Sequence, residues 1–505
     1  MSLFRTLIPI LYQGAGALLI FYGLFILASL TLFWLHRRRH NWPACDAEIV
    51  EWPPVTVQIP IYNEPRVARR VVEAVAALDY PRDKLQIQVL DDSTDRTTPI
   101  LATLVALLRR THGLNIQHLH RQARRGYKAG ALADALPQAT GDFIAIFDAD
   151  FAPEPDWLRR TLPALLKKPQ LAFVQTRWGH SNRSQNPLTA AQGLALDGHF
   201  VIEQQARSAS GFMQNFNGSG GVWRKAAITA VGGWTSDTVT EDLDLSYRAQ
   251  LAGWRGAYLN DVEAPAEVPP LLVSFKRQQR RWAKGSAQTL RKLAGPILRS
   301  RHSWPKRLYA LLHLGGYATH LPLLALLFLT LPLALIPHFS LPLPFIGYIS
   351  MFVSVAPFVM YGLSQQQLGG RRGLKRLWVL PVLALISLGL SPMMGRAVWE
   401  GLWHRGGAFE RTPKQGKGPR HLALPEGESL RQLLPEAMIL VYAMVTLFVI
   451  AARGQWALVP LPLLFTLGTS LVLFIGLSEY QMALSAAPRT GRFTRPSVSA
   501  TSPSD

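Results

Sequence analysis

The stretch Phe143-Ile144-Ala145-Ile146-Phe147-Asp148-Ala149-Asp150 passes directly from five apolar residues to a pair of carboxylates. A short, continuous apolar run of this kind is typical of a β-strand that is buried on both faces. Two similar runs, residues 55–59 and 86–90, precede it, and helical patterns at 65–78 and 97–110 lie between the runs. This alternation predicts βαβ units and a mostly parallel sheet.

Polar side chains follow each of the three predicted strands. In open α/β sheets, ligands bind just beyond the carboxyl ends of the strands. The polar clusters at these positions are Asn63-Glu64, Asp91-Asp92-Ser93 and Asp148-Ala149-Asp150. Their shared placement predicts a ligand site at one edge of the sheet.

Asp148 and Asp150 suit a hard divalent cation. Magnesium is usually held by one or two carboxylates, which leaves coordination positions for phosphate oxygens and water. Such a metal would neutralise the charge that grows on a departing nucleoside diphosphate. The alternative for an isolated pair is a solvated acidic turn, but the position at a strand end favours the metal site.

Three further groups of residues each allow two interpretations. Lys128 is either a surface lysine or a phosphate or nucleoside contact. In Thr240-Glu241-Asp242, the carboxylates either favour the positive end of the helix predicted at 243–251 or include a general base. In Gln278-Gln279-Arg280-Arg281-Trp282, the arginine and tryptophan either anchor the chain at a membrane surface or contact a diphosphate and a sugar ring.

The composition indicates two environments. Only 17% of the 505 residues are charged, against about 25% in typical soluble domains. Residues 46–300 have an ordinary mixture, whereas 8–35 and 307–480 are strongly apolar. The net charge is +21, and basic clusters such as Arg37-Arg38-Arg39 lie next to apolar segments. This placement favours a membrane protein with a cytoplasmic domain over a nucleic-acid-binding protein.

The single cysteine, Cys45, excludes an internal disulfide and a cysteine-based zinc site. In the membrane region, apolar segments lie near 308–336, 344–363, 377–393, 437–452 and 457–478. With the N-terminal anchor, we expect five membrane spans, and we expect 377–393 to be a partial, re-entrant or interfacial segment. The predicted parts are a membrane anchor at 8–36, a cytoplasmic α/β domain at 46–270, an amphipathic interface helix at 271–304, a transmembrane region at 305–480 with a cytoplasmic loop at 404–434, and a disordered tail at 481–505.

Taken together, these motifs resemble the processive branch of the family 2 glycosyltransferases, which includes cellulose, chitin and hyaluronan synthases and the plant mannan-synthase-like group. The family signature of D, DxD, TED and QxxRW is matched in order across residues 55–300. The matching residues are Asp91-Asp92, Asp148 and Asp150, Thr240-Glu241-Asp242, and Gln278, Arg281 and Trp282. The resemblance implies a nucleotide-sugar-binding, Rossmann-like domain of the GT-A type joined to an α-helical transmembrane bundle.

The resemblance also implies residue roles. Asp148 and Asp150 would bind Mg²⁺ or Mn²⁺, and Asp242 would be the general base of an inverting transfer. The residues expected to contact the nucleotide sugar are Tyr62, Glu64, Asp91, Asp92, Lys128 and Asp148. Those expected to form the acceptor side and the channel mouth are Glu241, Gln278, Arg281 and Trp282.

Two loops carry weaker similarities. Residues 216–224 are similar to the acceptor-side loop of the mannan-synthase-like group. Residues 409–414 resemble the gating loop of cellulose synthase (FxVTxK) through Phe409, Thr412 and Lys414, although Arg411 replaces valine and Pro413 is inserted before the lysine. The alternative for residues 409–414 is an ordinary basic cytoplasmic loop.

The implied function is that of a multi-pass enzyme of the plasma membrane, or of a bacterial inner membrane. It would transfer a hexose from UDP-glucose or GDP-mannose, with inversion, to elongate a β-linked glycan. One alternative is the transfer of a single sugar to a lipid such as diacylglycerol, ceramide or polyprenyl phosphate. Another is a transporter or channel whose soluble domain only binds a nucleotide. The expected partners are the sugar donor, a glycan or lipid acceptor and the bilayer, with no nucleic acid.

Overall fold

The computed structural model describes residues 2–36, 51–336, 353–407 and 430–486. Within these residues, a seven-stranded sheet has the order β3-β2-β1-β4-β6-β5-β7. Its strands are β1 (Val55–Ile61), β2 (Leu85–Asp91), β3 (Asn115–His120), β4 (Phe143–Ile146), β5 (Leu171–His180), β6 (Gly221–Arg224) and β7 (Arg255–Ala266). The predicted βαβ pattern therefore forms one sheet.

Most neighbouring strands in the sheet are parallel. β1 pairs in parallel with β2 and β4, β2 with β3, and β5 with β7. The short strand β6 runs antiparallel to both β4 and β5. The prediction of a mostly parallel sheet is confirmed, with β6 as an antiparallel strand between β4 and β5.

The α-helices surround the sheet and form the membrane region. Those of the first part of the chain are α1 (Ser2–His36), α2 (Ala68–Ala76), α3 (Thr97–His112), α4 (Tyr127–Ala135), α5 (Trp157–Lys167), α6 (Pro187–Asp197), α7 (Gln205–Ser210), α8 (Lys225–Ala230) and α9 (Glu241–Leu251). Those that follow are α10 (Leu272–Arg299), α11 (Trp304–Leu314), α12 (His320–Ala334), α13 (Ala356–Gly373), α14 (Leu380–Gly389), α15 (Ser391–Trp403), α16 (Leu434–Ala452) and α17 (Pro460–Ala486). A π-helix, Gly198–Gln204, joins α6 to α7.

The alternation of side chains along β4 explains why its whole length is apolar. Phe143 and Ala145 belong to a core that also contains the buried residues of α2, α3 and α5. Ile144 and Ile146 belong to a second core, on the opposite face, with residues of α4, α8 and α9. Because successive side chains of a strand point to opposite faces, a strand that is covered on both sides needs an apolar residue at every position.

The membrane region contains long apolar helices. In the described part of the chain, four helices are long and apolar enough to cross a bilayer: Arg5–His36, Gly316–Ala334, Leu430–Ala452 and Pro460–Ser485. A fifth candidate is the pair Ala356–Gly389 and Ser391–Trp403, which is bent by 51°. The segment predicted to be partial, 377–393, contains this bend. Its re-entrant character and the orientation of the protein remain predictions.

The end of the last described helix differs from the predicted boundary. Helix α17 continues to Ala486, so the disordered tail does not begin at residue 481 as predicted. The helix extends because Met482, Ala483 and Leu484 are good helix formers. The gating-like residues Phe409, Thr412 and Lys414, and part of the predicted span 344–363, lie outside the described residues.

Helix α10 connects the α/β domain to the membrane region. Glu479 of α17 accepts hydrogen bonds from the backbone N–H groups of Leu272 (2.5 Å) and Val273 (3.2 Å), the first two residues of α10. Lys276 pairs with Glu436 of α16 at 2.6 Å, and Glu436 is almost fully buried. Helix N-termini carry unpaired N–H groups and partial positive charge, so a carboxylate stabilises them. The N-terminus of α10 is therefore fixed by side chains from the last two described helices.

Candidate active site

A pocket of about 150 Å³ lies at the carboxyl ends of β1, β2 and β4, and the start of α9 and one face of α10 close it. It brings together most of the residues that the sequence motifs identify. Those lining it are Tyr62, Glu64, Asp92, Lys128, Asp148, Asp150, Glu241, Asp242, Gln278, Arg281 and Trp282. Residues that are more than 200 positions apart in the chain therefore form one site, as the rule on strand ends predicts.

Asp91 is the expected contact that does not line this pocket. Its side chain is fully buried, accepts a hydrogen bond from the backbone N–H of Ser93 (2.9 Å), and lies 2.9 Å from His118 Nε2. Burial opposes ionisation, but the hydrogen bonds from His118 and Ser93 lower the pKa of Asp91 to about 2. Asp91 thus holds the turn after β2, from which Asp92 reaches the pocket.

Two arginines contact Asp92 and Tyr62 on the side of the pocket formed by β1 and β2. Arg121 forms a two-pronged ion pair with Asp92, in which Nε and Nη2 each lie 2.7 Å from a carboxylate oxygen. The guanidinium of Arg124 lies 3.5 Å from the centre of the Tyr62 ring, and Arg124 also lines the pocket. The sequence motifs did not identify either arginine. Both arginines follow the end of β3, a strand with too few apolar residues to be recognised in the sequence. Had β3 been recognised, the placement of ligand sites beyond the carboxyl ends of strands would have identified them.

The loop after β1 is fixed by an unusual backbone conformation. Asn63 has a positive φ of 52°, a region that few residues other than glycine and asparagine tolerate. Its backbone N–H donates to Ser93 Oγ, and its side-chain oxygen accepts from the backbone N–H of Thr94, both at 2.8 Å. These bonds join the loops after β1 and β2 and set the positions of Tyr62 and Glu64.

Lys128 is largely buried, with 10% of its side chain exposed. Its ammonium donates to Asp148 Oδ1 (2.5 Å) and to the carbonyl of Gly218 (2.8 Å), and it lies 3.9 Å from Glu241. Burial disfavours the charged form, but the carboxylates of Asp148 and Glu241 raise the pKa of Lys128. A fixed cation therefore lies between the Asp148-Ala149-Asp150 motif and the Glu241-Asp242 motif.

Asp148 and Asp150 have the chemistry of an open metal site. The backbone N–H of Asp148 donates to Ser219 Oγ at 2.9 Å, and its side chain is 35% exposed to the pocket. Asp150 is mostly buried and also lines the pocket. In the described ranges, no group of three or more His, Cys, Asp or Glu residues is arranged to hold a metal. Two carboxylates fit Mg²⁺ or Mn²⁺ when diphosphate oxygens and water complete the coordination.

Asp242 and Asp244 are both at the start of α9 but have different surroundings. Asp244 is fully buried and pairs with Arg248 (2.7 Å) and Lys292 (2.8 Å). Asp242 lines the pocket, and burial together with the charge of Glu241 raises its pKa to about 7, although Lys128 and Arg281 act in the opposite direction. A carboxylate that titrates near neutral pH has the property that a general base needs.

Gly218 brings the loop before β6 close to Asp242. It has a φ of +83°, and a Cβ at this position would lie 2.9 Å from Asp242 Oδ2. Its carbonyl accepts the hydrogen bond from Lys128. Only glycine combines this backbone conformation with this approach.

Helix α10 supplies the remaining wall. Gln278, Arg281 and Trp282 have i, i+3, i+4 spacing, which places them on one face of the helix, and all three line the pocket. Trp178 at the end of β5 and Glu267 after β7 line it too, and the sequence motifs did not identify them. The indole N–H of Trp178 donates to the carbonyl of Ser219 at 3.0 Å. This contact depends on tertiary packing and has no local sequence signal.

The chain resembles known proteins in sequence and in fold. A family profile described as "Glycosyltransferase like family 2" matches residues 53–285. Glucomannan 4-beta-mannosyltransferase 2 of Arabidopsis thaliana is 37% identical over 65% of this chain and 64% of its own length. Probable glucomannan 4-beta-mannosyltransferase 3 of Oryza sativa subsp. japonica is 36% identical over 74% of this chain and 67% of its own length. The chain thus spans slightly less than two thirds of the first relative.

A solved structure shares the fold. It is a mannosyltransferase from Pyrobaculum calidifontis in complex with GDP-Man and Mn²⁺, with a TM-score of 0.53 and 23% identity over 78% of this chain and 99% of that one. The mixed α/β domain is therefore of the GT-A type, as expected. With the matched family profile and the similarity to the mannosyltransferases of both plants, this chain belongs to the family 2 glycosyltransferases.

Proposed function

We propose that this protein is a membrane-bound, inverting hexosyltransferase that elongates a β-linked glycan from a nucleotide sugar. The observation that carries the proposal is Asp242, a carboxylate with a pKa of about 7 that shares one pocket with Asp148, Asp150 and the Arg281-Trp282 face of α10. A base, a diphosphate site and an acceptor wall in one cavity are the parts that glycosyl transfer requires.

The donor would bind across the strand ends. The aromatic ring of Tyr62 and the carboxylate of Asp92 lie on the side of the pocket formed by β1 and β2, where the base and ribose of the nucleotide would bind. Asp148 and Asp150 would hold Mg²⁺ or Mn²⁺, which neutralises charge on the diphosphate. Of UDP-glucose and GDP-mannose, we favour GDP-mannose, because the relatives in both plants are named as mannosyltransferases.

Transfer would begin at Asp242. Its carboxylate accepts the proton of an acceptor hydroxyl as the oxygen attacks the anomeric carbon from the side opposite the diphosphate. The bond from that carbon to the diphosphate oxygen breaks, and the leaving group keeps the electron pair. Lys128 stays protonated beside Asp148 and stabilises the negative charge of the leaving group. Arg281 and Trp282 would orient the acceptor sugar from the α10 side.

A second cavity supports an elongating rather than a single transfer. It has a volume of about 160 Å³ and lies among α6, α10, α14, α15 and the segment leading into α12. Apolar residues predominate, but polar side chains also line it: Gln192, Gln279, Tyr317, His320 and Ser387. Gln279 is adjacent in sequence to Gln278 of the first pocket. Polar side chains in a cavity of the membrane region suit contact with a sugar chain.

The test uses membranes that contain the full chain, together with radiolabelled GDP-mannose or UDP-glucose. We expect labelled, ethanol-insoluble product from GDP-mannose that β-mannanase degrades. Asp242→Asn membranes serve as the control and should yield none. A labelled product that is extracted entirely into organic solvent as a monoglycoside would contradict elongation, and the absence of transfer from both donors would contradict the proposed activity. We also propose that the α/β domain faces the cytoplasm, where nucleotide sugars are available.

A further inference from the structure

A larger cleft lies between the α/β domain and the membrane region. Its volume is about 800 Å³, and one side is formed by the end of β5 and the loop that follows it, residues 177–187. The other side is formed by Leu368, Arg376 and Trp378 of the membrane region. His180 lines both this cleft and the active-site pocket, so the two cavities share a wall. The mechanism of sugar transfer does not use this cleft.

The cleft is basic. Arg177, Arg183 and Arg376 line it, and Glu263 is the carboxylate among its lining residues. Arg177 pairs with Glu263 at 2.6 Å, and Arg183 pairs with the buried Asp197 at 2.6 Å. Of the three arginines that line the cleft, these two are therefore neutralised by described carboxylates, and Arg376 is not.

Arg376 faces a neutral group. Its guanidinium lies 3.4 Å from the side-chain oxygen of Gln365. In the parts of the chain that the structure describes, no ion pair joins a carboxylate to Arg376 or to the nearby Arg371, Arg372 and Lys375. This short segment therefore presents four positive charges without a described counter-charge.

The segment lies where a membrane helix ends. Helix α13 is interrupted at Gly369 and Gly370, and the φ of +54° at Gly370 turns the chain before the basic residues. Trp378, 63% exposed, follows them on a 3₁₀ turn (Leu374–Val379) that leads into α14. Tryptophan and basic residues next to an apolar helix are typical of the headgroup layer of a bilayer.

We propose that this cleft binds the headgroup of an anionic phospholipid. Arginine side chains bind phosphate oxygens through two-pronged hydrogen bonds, and juxtamembrane basic clusters attract anionic lipids. Trp378 and the partly exposed Leu368 supply apolar contact for the glycerol and upper acyl region. A cleft of this volume also accommodates more than a phosphate ion. A lipid headgroup accounts for the charge, the size and the apolar edge together.

Native mass spectrometry of the full chain in detergent tests the proposal without reference to catalysis. Dioleoyl phosphatidylglycerol and phosphatidylcholine are titrated separately, and the bound lipid is counted. We expect the wild-type protein to retain phosphatidylglycerol in preference to phosphatidylcholine. Arg376→Gln should weaken phosphatidylglycerol binding about tenfold, the factor expected for the loss of one hydrogen bond between a charged side chain and phosphate, and Trp378→Ala should weaken it further.

Arg372→Gln is the matched control, because Arg372 is an exposed residue of the same segment that does not line the cleft. It should retain wild-type binding. Equal losses in Arg372→Gln and Arg376→Gln would show diffuse attraction and overturn the proposed site, as would equal binding of the two lipids. In a final experiment, inorganic phosphate is added as a competitor of phosphatidylglycerol. If it displaces phosphatidylglycerol at comparable concentration, the cleft is a site for free phosphate and the lipid assignment fails.

Discussion

The ammonium of Lys128 lies 2.5 Å from Asp148 and 3.9 Å from Glu241, so one buried cation connects the proposed metal site to the helix that carries the proposed base. The same ammonium donates to the carbonyl of Gly218, whose backbone approaches Asp242 so closely that a Cβ there would lie 2.9 Å from Asp242 Oδ2. Changes at Lys128 should therefore alter both the stabilisation of the diphosphate leaving group and the removal of the acceptor proton by Asp242.

Replacing Lys128 by Met should shift the pH dependence of transfer. Lys128 lowers the pKa of Asp242, so without it this pKa rises above about 7. Since the base must be deprotonated, activity increases as pH rises through the pKa, and this limb moves to higher pH in the variant. If the limb moves by about one pH unit, the rate on its acidic side falls about tenfold. Lys84→Met, which removes an exposed pair with Glu51, is the control. An unchanged kcat profile in Lys128→Met would contradict this coupling.

Asp242→Asn and Asp244→Asn should fail in different ways. Removing the proposed base should lower kcat about 10²–10⁴-fold, with nucleotide binding retained and no loss of thermal stability. Asp244 pairs with Arg248 and Lys292 in the interior, so Asp244→Asn should cost about 3 kcal/mol of folding stability. Donor binding by calorimetry, with a thermal melt of each purified variant, separates the two. Loss of donor binding in a fully folded Asp242→Asn would argue against its role as base.

Asp242→Asn should also stabilise the fold at alkaline pH, by an amount comparable in size to the loss in Asp244→Asn. The pKa of Asp242 is raised in the folded protein, so its ionisation between about pH 4 and 7 favours the unfolded chain. The neutral amide removes this cost. We expect the variant to melt at a higher temperature than the wild type at pH 8, and the gain to disappear as the pH falls towards about 4. A pH-independent difference in melting temperature would show that ionised Asp242 does not destabilise the fold.

Asp91→Asn should destabilise the α/β domain. The pKa of Asp91 is lowered to about 2, so its stabilising contribution is present above about pH 4 and is lost as the pH falls through 2. At pH 7 the variant should lose about 2 kcal/mol. Asp134→Asn removes an exposed partner of Arg121 and should change little. Thermal melts at pH 7 compare the two, and equal stabilities would contradict a structural role for Asp91.

Gly218→Ala and Gly232→Ala separate backbone strain from a clash in the active site. Both glycines have positive φ, +83° and +84°, so both variants should lose about 1–2 kcal/mol of stability. Only at Gly218 does the new Cβ meet Asp242, whereas Gly232 has open space around it. We therefore expect kcat to fall in Gly218→Ala alone. Equal kcat values in the two variants would show that the approach of Gly218 to Asp242 has no effect on catalysis.

The parts of the site that the sequence predicted are those with a local signal. Asp148 and Asp150 follow a run of five apolar residues, and Gln278, Arg281 and Trp282 lie on one helical face. Strand β6 was missed because its four residues, Gly221–Arg224, are too few to show alternation. The stacking of Arg124 on Tyr62 was missed because it depends on loops 62 residues apart in the chain. Asp91 was placed in the pocket because neighbouring aspartates share one motif, whereas their side chains point in different directions.

The contact between Glu479 and the N-terminus of α10 has a consequence for biosynthesis. Helix α10 carries Arg281 and Trp282, yet the carboxylate that caps it is synthesised about 200 residues later, in α17. At ribosomal speeds of about 5–20 residues per second, the nascent chain waits about ten seconds or more for this cap. The cap of the helix that carries the proposed acceptor wall is therefore completed only after α17 has been synthesised, so a chain that is truncated before Glu479 lacks this support.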